Sequence, residues 1–194
     1  METKQQLRRT YKTCGAALKK EYRDFADCAI RAYVLHSEVW QRAESLFLYV
    51  SMWAEPDTRA LIDAALESGK RVYVPLCCRD RTMKAVRIQS LDELHPGTLN
   101  IPEPPAENET AEPGSLDLAV VPCITATMEG ARLGHGVGYY DRFLRLHACS
   151  TMCLCYGQML ADALPMDEHD IWMDYIATEA GITASEPGSS GSRS

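Results

Sequence analysis

The sequence predicts an α/β fold in which an open, mainly parallel sheet is flanked by helices, a Rossmann-like three-layer architecture with additional helices at the amino terminus. Two observations support this prediction. Short apolar runs typical of strands alternate with segments of helical periodicity, first over residues 45–75. A glycine-rich stretch at residues 130–138 then separates a strand from a helix, and α/β proteins commonly bind ligands at such a position. We therefore expect a ligand site beyond the carboxyl ends of the strands.

Length and composition agree with one globular domain. The chain has 194 residues, of which 46% are hydrophobic and 24% are charged. We assign residues 1–184 to a single domain and the Gly/Ser-rich residues 185–194 to a disordered tail. The net charge of −7 gives no overall attraction to nucleic acid or anionic lipid, so an anionic ligand needs a local basic pocket.

The eight cysteines indicate a reduced environment. They contain no Cys-x-x-Cys pair, most have apolar neighbours, and the amino terminus does not resemble a signal peptide. We expect free, buried thiols in a cytoplasmic protein that has no structural zinc site. Since no apolar run approaches the ~20 residues of a membrane span, we expect no membrane partner. The negative net charge likewise leads us to expect no nucleic-acid partner. We also expect a monomer.

Residues 3–44 have the apolar spacing of two or three amphipathic helices. Within the first of them, Lys4 and Arg8 are four residues apart and so share one face of the helix. This basic face is either a solvated surface or a cationic arm over a nucleotide.

Residues 45–50 form the first predicted strand, and a loop follows at its carboxyl end. Asp57 can cap a helix that runs to about residue 68, and Gly69 ends this helix before a second strand at 71–75. Such a unit implies a parallel strand pair with a right-handed crossover. Glu55 in the loop is therefore either a ligand contact or an exposed acid.

The other elements are predicted in the same way. An alternating pattern at residues 83–88 predicts an edge strand, and Ser90 can cap a turn at 91–94. The proline-rich residues 96–114 predict a long surface loop. Further strands are predicted at 116–122, 151–156 and 174–178, and a helix at 139–148.

The glycine-rich stretch carries the clearest chemical signal. Gly134, Gly136 and Gly138 alternate, so their backbone N–H groups can converge on a phosphate near the start of the next helix. Arg132 adds a fork of donors, and Asp141 is a hard oxygen ligand within reach of magnesium on a nucleotide. The stretch is neither a Walker A loop nor the dinucleotide fingerprint. The simpler interpretation is a glycine-rich turn.

Several acids near the carboxyl terminus form a second candidate site, around His169. The carboxylates of Asp170 and Asp174 would suit magnesium rather than zinc. The alternative is a solvated acidic loop. No Ser-His-Asp or Cys-His arrangement can be identified from spacing, and His135 within the glycine stretch is a candidate donor to phosphate.

The segment RLGHGVGYYDR at residues 132–142 resembles the signature of the 5-formyltetrahydrofolate cyclo-ligase family, also called methenyltetrahydrofolate synthetases. Weaker matches follow in the family's order over about residues 4–182: Lys4-x-x-Leu7-Arg8, Ser51-Met52-x-x-Glu55-x-Asp57-Thr58, residues 69–75, Glu103-Pro104, residues 117–122 and residues 170–179. The family usually has a glycine after the Val-Pro step and a Phe-Asp pair before the signature. Here Cys123 and Ala126-Thr127 occupy these places, beside the substrate.

The resemblance implies that ATP drives the cyclisation of 5-formyltetrahydrofolate, a reduced folate, to 5,10-methenyltetrahydrofolate, with magnesium present. The formyl oxygen attacks the γ-phosphate, N10 of the folate closes the ring, and no protein nucleophile is needed. Phosphate positioning then matters most, and we assign the central catalytic roles to Arg132 and Tyr140.

The resemblance also implies which residues bind each ligand. The expected nucleotide-binding residues are Lys4, Arg8, Arg132, Leu133, Gly134, His135, Gly136, Val137, Gly138, Tyr139 and Tyr140. The expected folate-binding residues are Val50, Met52, Glu55 and Tyr140. The expected magnesium ligands are Asp141 together with Asp170 or Asp174. One tyrosine of the Tyr139-Tyr140 pair is expected to stack on the ligand and the other to pack in the core.

Two alternatives remain at this point. The altered residues 123, 126 and 127 can reshape the substrate pocket of an ATP-using enzyme that acts on a different substrate. The chain can also be a relative that binds nucleotide or folate without turnover, although the phosphate-binding residues are all present.

Overall fold

A seven-stranded sheet forms the centre of the computed structural model, which describes residues 2–52, 54–78, 80–97 and 101–185. Its strands, in chain order, are β1 (Ser45–Leu48), β2 (Arg71–Cys77), β3 (Met83–Ile88), β6 (Leu118–Val121), β9 (Ser150–Leu154), β10 (Tyr175–Thr178) and β11 (Gly181–Ala184). The remaining strands form two separate two-stranded sheets: β4 (His95–Pro96) pairs with β5 (Pro102–Glu103), and β7 (Thr125–Ala126) pairs with β8 (Arg132–Leu133).

The strand order β11-β10-β9-β6-β1-β2-β3 places β6 and β1 near the middle of the sheet. The five inner strands β10, β9, β6, β1 and β2 run parallel, whereas β11 and β3 pair antiparallel at the two edges. All residues of β1 and β6 are buried, which requires cover on both faces of the sheet. The predicted α/β fold with an open, mainly parallel sheet is therefore confirmed.

Five α-helices lie within the described residues: α1 (Lys4–Ala17), α2 (Lys20–His36), α3 (Glu38–Arg42), α4 (Arg59–Glu67) and α5 (Tyr139–Leu146). Helix α1 begins in a capping box between Thr3 and Gln6. Helix α5 packs on the sheet through Phe143, whose ring centroid is 4.4 Å from that of Phe47. The prediction of three amino-terminal helices at most is confirmed, and none of the described helices combines the length and apolar character of a membrane crossing.

Several predicted boundaries differ from the structure. Helix α4 begins at Arg59, with Thr58 rather than Asp57 at its N-cap position. The Thr58 side chain does not cap the helix, because its hydroxyl donates to the Tyr49 carbonyl at 2.6 Å. Asp57 nevertheless accepts the Arg59 N–H at 3.2 Å. The predicted edge strand at 83–88 and the capped turn after Ser90 are confirmed.

Two features near the carboxyl terminus were not predicted. Strand β11 follows a tight turn in which Gly181 has φ of +138°, and its four residues are too few for a clear pattern. Ser185, assigned to the tail, donates its backbone N–H to the Asp174 carbonyl at 2.9 Å. The rest of the predicted tail, Trp53 of the first loop and residues 98–100 of the proline-rich segment lie outside the described residues.

The cysteine prediction is partly confirmed. All eight cysteines lie within the described residues and are free thiols. Three of them, Cys123, Cys153 and Cys155, are buried, but Cys14 and Cys28 are exposed, so the expectation of a generally buried set is wrong for these two.

Candidate active site

The carboxyl ends of β1, β6 and β9 bring three segments together. The loop after β1, residues 51–58, is called the Glu55 loop below. The glycine loop, residues 134–138, connects the β7–β8 hairpin to α5. Arg132 precedes the glycine loop, and its Nη1 donates to the carbonyl of Pro122 just beyond β6 at 3.2 Å. The predicted site at the carboxyl edge of the sheet is thus assembled from these segments.

Arg132 is the most buried charged group of the site, with only 3% of its side chain exposed. Its Nη2 forms an ion pair with the Asp141 Oδ1 at 2.8 Å, and its guanidinium lies 5.8 Å from the ring centroid of Tyr140. Its buried Nε has no hydrogen-bond partner among the described residues. Arg132 therefore keeps an unused donor, which favours an additional anionic partner.

The glycine loop has a backbone that other residues would strain. Gly136 has φ of +99° and Gly138 has φ of +74°. A Cβ on Gly136 would lie 3.1 Å from Cζ of Arg8, and one on Gly134 would lie 3.1 Å from Nη1 of Arg132. The missing side chains thus let two guanidinium groups approach the loop directly.

Helix α5 begins immediately after Gly138, which provides no side-chain cap. The first N–H groups of the helix lack intrahelical partners and favour negative charge. Arg142 adds a further cation here, with its Cζ 5.7 Å from the Tyr139 ring centroid and its Nη2 bonded to the carbonyl of Arg81. The loop is therefore surrounded by groups that suit an anion.

Helix α1 directs its basic face at the same place. Nε of Arg8 donates to the Gly134 carbonyl at 2.8 Å. Lys4 forms ion pairs with Asp170 and, at 2.6 Å, with Asp167. Burial lowers the pKa of Lys4, but its two carboxylate partners outweigh this effect, so the net pKa is raised and the amine stays charged. The solvated-surface interpretation of this face is wrong.

The Glu55 loop is held by a dense set of hydrogen bonds. The Oε2 of Glu55 accepts the Met52 N–H at 2.9 Å, and the Glu55 N–H donates to the Met52 carbonyl at 2.9 Å. The Ser51 N–H donates to Thr58 Oγ1 at 3.0 Å. The Glu55 side chain is only 11% exposed, so the predicted contact position is a partly enclosed acid rather than an exposed one.

The glycine loop and the Glu55 loop meet through their side chains. Nε2 of His135 lies 3.4 Å from Oε1 of Glu55. Burial and the nearby Glu55 charge raise the pKa of Tyr140, although Arg132 acts in the opposite direction, so its hydroxyl remains protonated. Val50 is buried and Met52 is half-buried beside Glu55. The predicted nucleotide and folate residues therefore adjoin one another.

The three predicted magnesium ligands do not form one group. Asp141 and Asp170 are close together, since the N–H of Ile171 lies 3.4 Å from Asp141 Oδ1. Asp174 instead accepts the Thr151 N–H at 2.9 Å and the Thr151 hydroxyl at 2.8 Å, at the amino end of β9. Of the two alternatives beside Asp141, the geometry thus favours Asp170 over Asp174. Within the described residues, no cluster of three or more His, Cys, Asp or Glu side chains is positioned to hold a metal.

Sequence reasoning missed two polar residues next to the Glu55 loop. Asp27 of α2 accepts the Asp57 N–H at 3.0 Å and the Tyr156 hydroxyl at 2.9 Å. The available signal was an acid beside the apolar face that contains Ala26 and Ile30. Tyr156 lacked any comparable signal, because it ends an apolar strand pattern.

The fold is that of an α/β protein, and the assembled residues lie at the carboxyl edge of its parallel strands, where enzymes of this class commonly bind ligands. A sequence model of the 5-formyltetrahydrofolate cyclo-ligase family matches residues 1–179. The chain belongs to this family, as the signature at residues 132–142 predicted.

Individual relatives agree with this assignment. A Caenorhabditis elegans protein described as a probable 5-formyltetrahydrofolate cyclo-ligase is 31% identical, covering 92% of this chain and 93% of its own. The Mycolicibacterium smegmatis 5-formyltetrahydrofolate cyclo-ligase is 36% identical, covering 70% of this chain and 74% of its own. The NMR structure of Aquifex aeolicus 5,10-methenyltetrahydrofolate synthetase has a TM-score of 0.84 at 26% identity, covering 98% of this chain and 96% of that one.

Proposed function

We propose that the protein is an ATP-dependent ligase that converts 5-formyltetrahydrofolate to 5,10-methenyltetrahydrofolate and releases ADP and phosphate. The observation that carries this proposal is the contact of the glycine loop with the Glu55 loop, at 3.4 Å between His135 and Glu55. The glycine loop, with Arg8 and Arg132 beside it, offers N–H groups and cations to phosphates. The Glu55 loop offers a carboxylate to the N–H groups of a pterin. Their proximity suits phosphoryl transfer from ATP to a folate.

The proposed reaction has two steps. The formyl oxygen attacks the γ-phosphorus of ATP, the bond to ADP breaks, and a phosphorylated formyl group (an iminium phosphate) remains. N10 of the folate then attacks the formyl carbon and loses its proton, and the carbon–oxygen bond breaks to release phosphate. Because both nucleophiles belong to the substrates, the protein contributes mainly positioning and charge neutralisation.

The cations around the glycine loop are assigned to the phosphates. Arg132 is buried and has an unused Nε donor, which supports a role in stabilising charge that develops during transfer. Arg8 and Lys4 reach the site from α1 and support the phosphate chain. Tyr140 stays protonated between Arg132 and Glu55, and we assign it to contact both ligands.

The folate is assigned to the Glu55 loop. The Met52 N–H holds Oε2 of Glu55, whereas Oε1 lies 3.4 Å from Nε2 of His135, and we assign Oε1 to the N–H groups of the pterin. Half-buried Met52 provides apolar surface for the pterin, and buried Val50 packs behind the loop as part of the core.

Magnesium fits the carboxylates of Asp141 and Asp170. They are hard oxygen donors at the same edge of the sheet, and magnesium commonly uses one or two carboxylates together with substrate phosphates. When bound, magnesium would shield the negative charge of the phosphates. In the structure without ligands, Arg132 pairs with Asp141 and Lys4 pairs with Asp170. In this assignment both cations would leave these carboxylates and pair with the phosphates instead. The cytoplasmic location and monomeric state remain predictions.

No specific observation favours a different substrate. The thiol of Cys123 lies 3.4 Å from the Leu154 carbonyl and is buried against β9. Ala126 and Thr127 are also buried, and the Ala126 carbonyl accepts the Ala161 N–H at 2.9 Å. The residues that depart from the family pattern are thus packed inside, where they offer little surface to a ligand.

An absorbance assay tests the proposal. Purified protein, magnesium and ATP are mixed with 5-formyltetrahydrofolate, and the near-ultraviolet band of the methenyl product is followed against an ATP-free control. We expect growth of the band only with ATP. No growth, while ATP binding is still detected by calorimetry, would contradict the proposed reaction and leave a nucleotide-binding protein with another substrate.

A further inference from the structure

Asp27 and Tyr156 form a support beneath the Glu55 loop. A single atom, Oδ1 of Asp27, accepts both the Asp57 N–H at 3.0 Å and the Tyr156 hydroxyl at 2.9 Å. The Tyr156 hydroxyl also lies 3.2 Å from the Glu55 carbonyl. The backbone on both sides of Pro56 is therefore fixed by one pair of side chains, which come from α2 and from the end of β9.

The support acts on the segment that aims the Glu55 carboxylate. Oε2 of Glu55 accepts the Met52 N–H at 2.9 Å. The Glu55 carbonyl contacts the Tyr156 hydroxyl, and the Asp57 N–H donates to Asp27. These restraints leave Oε1 as the atom that faces the glycine loop. A shift of the backbone at Glu55 would move this oxygen directly.

The carboxylate at position 27 is half-buried, and its two donors come from the Glu55 loop and from Tyr156. Burial raises the pKa of Asp27, although hydrogen bonds from Asp57 and Tyr156 partly oppose this effect. Burial also raises the pKa of Tyr156, with the charge of Asp27 adding to the effect, so the hydroxyl stays protonated and remains a donor.

We infer that Asp27 and Tyr156 are positioning residues that hold Glu55 for recognition of the pterin, an inference that rests on the proposed function. Neither side chain is required to touch the folate. They act through the Glu55 loop, so their loss is expected to weaken use of 5-formyltetrahydrofolate while leaving the phosphate-binding groups around Arg132 in place.

Steady-state kinetics of four variants test this inference. Asp27→Ala removes the shared acceptor, Tyr156→Phe removes the hydroxyl, and Asp27→Asn keeps an oxygen at the same place. Asp24→Ala is the matched control, because Asp24 lies on the same helix, is exposed and pairs only with Lys20 among the contacts described here. KM for 5-formyltetrahydrofolate and KM for ATP are measured separately, together with the thermal unfolding midpoint.

We expect Asp27→Ala and Tyr156→Phe each to raise the folate KM by about tenfold, the effect of losing one hydrogen bond between Glu55 and the pterin, while the ATP KM stays within about twofold. Asp27→Asn should restore most of the folate KM. A folate KM in both disrupting variants equal to that of Asp24→Ala overturns the inference, as does an equal rise of both KM values with a lowered unfolding midpoint. Absence of ATP-dependent turnover by the unaltered protein overturns the proposed function itself, and this inference with it.

Discussion

The two edges of the central sheet use the same kinds of side chain for different purposes. At the amino edge, Asp117 accepts the N–H groups of Glu44 and Ser45, each at 2.9 Å, and Asp174 accepts the N–H of Thr151 at 2.9 Å. Each carboxylate also accepts a hydroxyl from the start of a neighbouring strand, that of Ser45 at the first residue of β1 and that of Thr151 at the second residue of β9. These aspartates join adjacent strands and satisfy backbone donors at their starts.

At the carboxyl edge, Asp141 and Asp170 each contact one backbone N–H, of Ile171 and Asp167 respectively, and each also pairs with a cation. Asp141 is bound by Arg132 at 2.8 Å, and Asp170 is bound by Lys4. A cation can exchange its carboxylate partner for an anionic ligand, whereas removal of a carboxylate that joins two strands leaves their backbone N–H groups without an acceptor. The difference suggests that the carboxyl edge is arranged for ligand exchange and the amino edge for stability.

The largest expected effect is at Arg132. Arg132→Ala should lower kcat/KM for ATP by about 100- to 1000-fold, because a buried, oriented cation is lost from the phosphate site. Arg42→Ala is the matched control, since Arg42 is an exposed arginine near the amino edge that pairs with Glu38. Steady-state kinetics and calorimetric ATP titration would measure the difference. Equal ATP affinity in the two variants would contradict the assigned role of Arg132.

A smaller effect, and one on stability rather than catalysis, is expected at the amino edge. Asp174→Ala should lower the free energy of unfolding by about 1–2 kcal/mol, because the Thr151 N–H and hydroxyl lose their acceptor. Urea unfolding gives this quantity, and kcat of the folded variant should stay within about twofold of the unaltered protein. A large fall in kcat with unchanged stability would show that Asp174 belongs to the catalytic edge.

The smallest effect concerns His147, which follows α5. It is buried, stacks on Phe143 at a centroid distance of 4.2 Å, and burial lowers its pKa. A lowered pKa in the folded state gives stability that is present above the ordinary pKa of about 6.5 and is lost as the pH falls through the folded-state value. The thermal unfolding midpoint should therefore decrease as the pH is lowered from about 7.5 to about 5.5.

The variant His147→Phe supplies the comparison for this pH dependence. It keeps an aromatic ring beside Phe143 but removes the titrating group. Its unfolding midpoint should change less over the same pH range than that of the unaltered protein. An identical change in both proteins would assign the pH dependence to other groups.

Local sequence signals predicted the carboxyl edge well. Alternating glycines, the adjacent Arg132 and the shared face of Lys4 and Arg8 are short-range patterns, and the structure brings them to one place. The parallel order of the inner strands also followed from the strand–helix–strand pattern. These features depend on residues that are neighbours in the chain.

Features that depend on distant residues were not predictable in the same way. Asp170 and Asp174 are both acids in one short segment of the sequence. In the structure Asp170 pairs with Lys4 at the carboxyl edge and is a candidate metal ligand, whereas Asp174 binds Thr151 at the amino edge. The support at Asp27 joins residues 129 positions apart. Spacing along the chain does not reveal such contacts, because the fold alone determines which ends of the strands meet.

The magnesium dependence of cyclisation in a matched pair, Asp170→Asn and Asp174→Asn, tests the central claim most directly. Both substitutions remove one charge from the same segment, but only Asp170 lies with Lys4 at the carboxyl edge. We predict that Asp170→Asn needs about tenfold more magnesium for half-maximal rate, whereas Asp174→Asn keeps the magnesium profile of the unaltered protein. A shifted profile in Asp174→Asn with an unchanged one in Asp170→Asn would contradict the separation of the two edges.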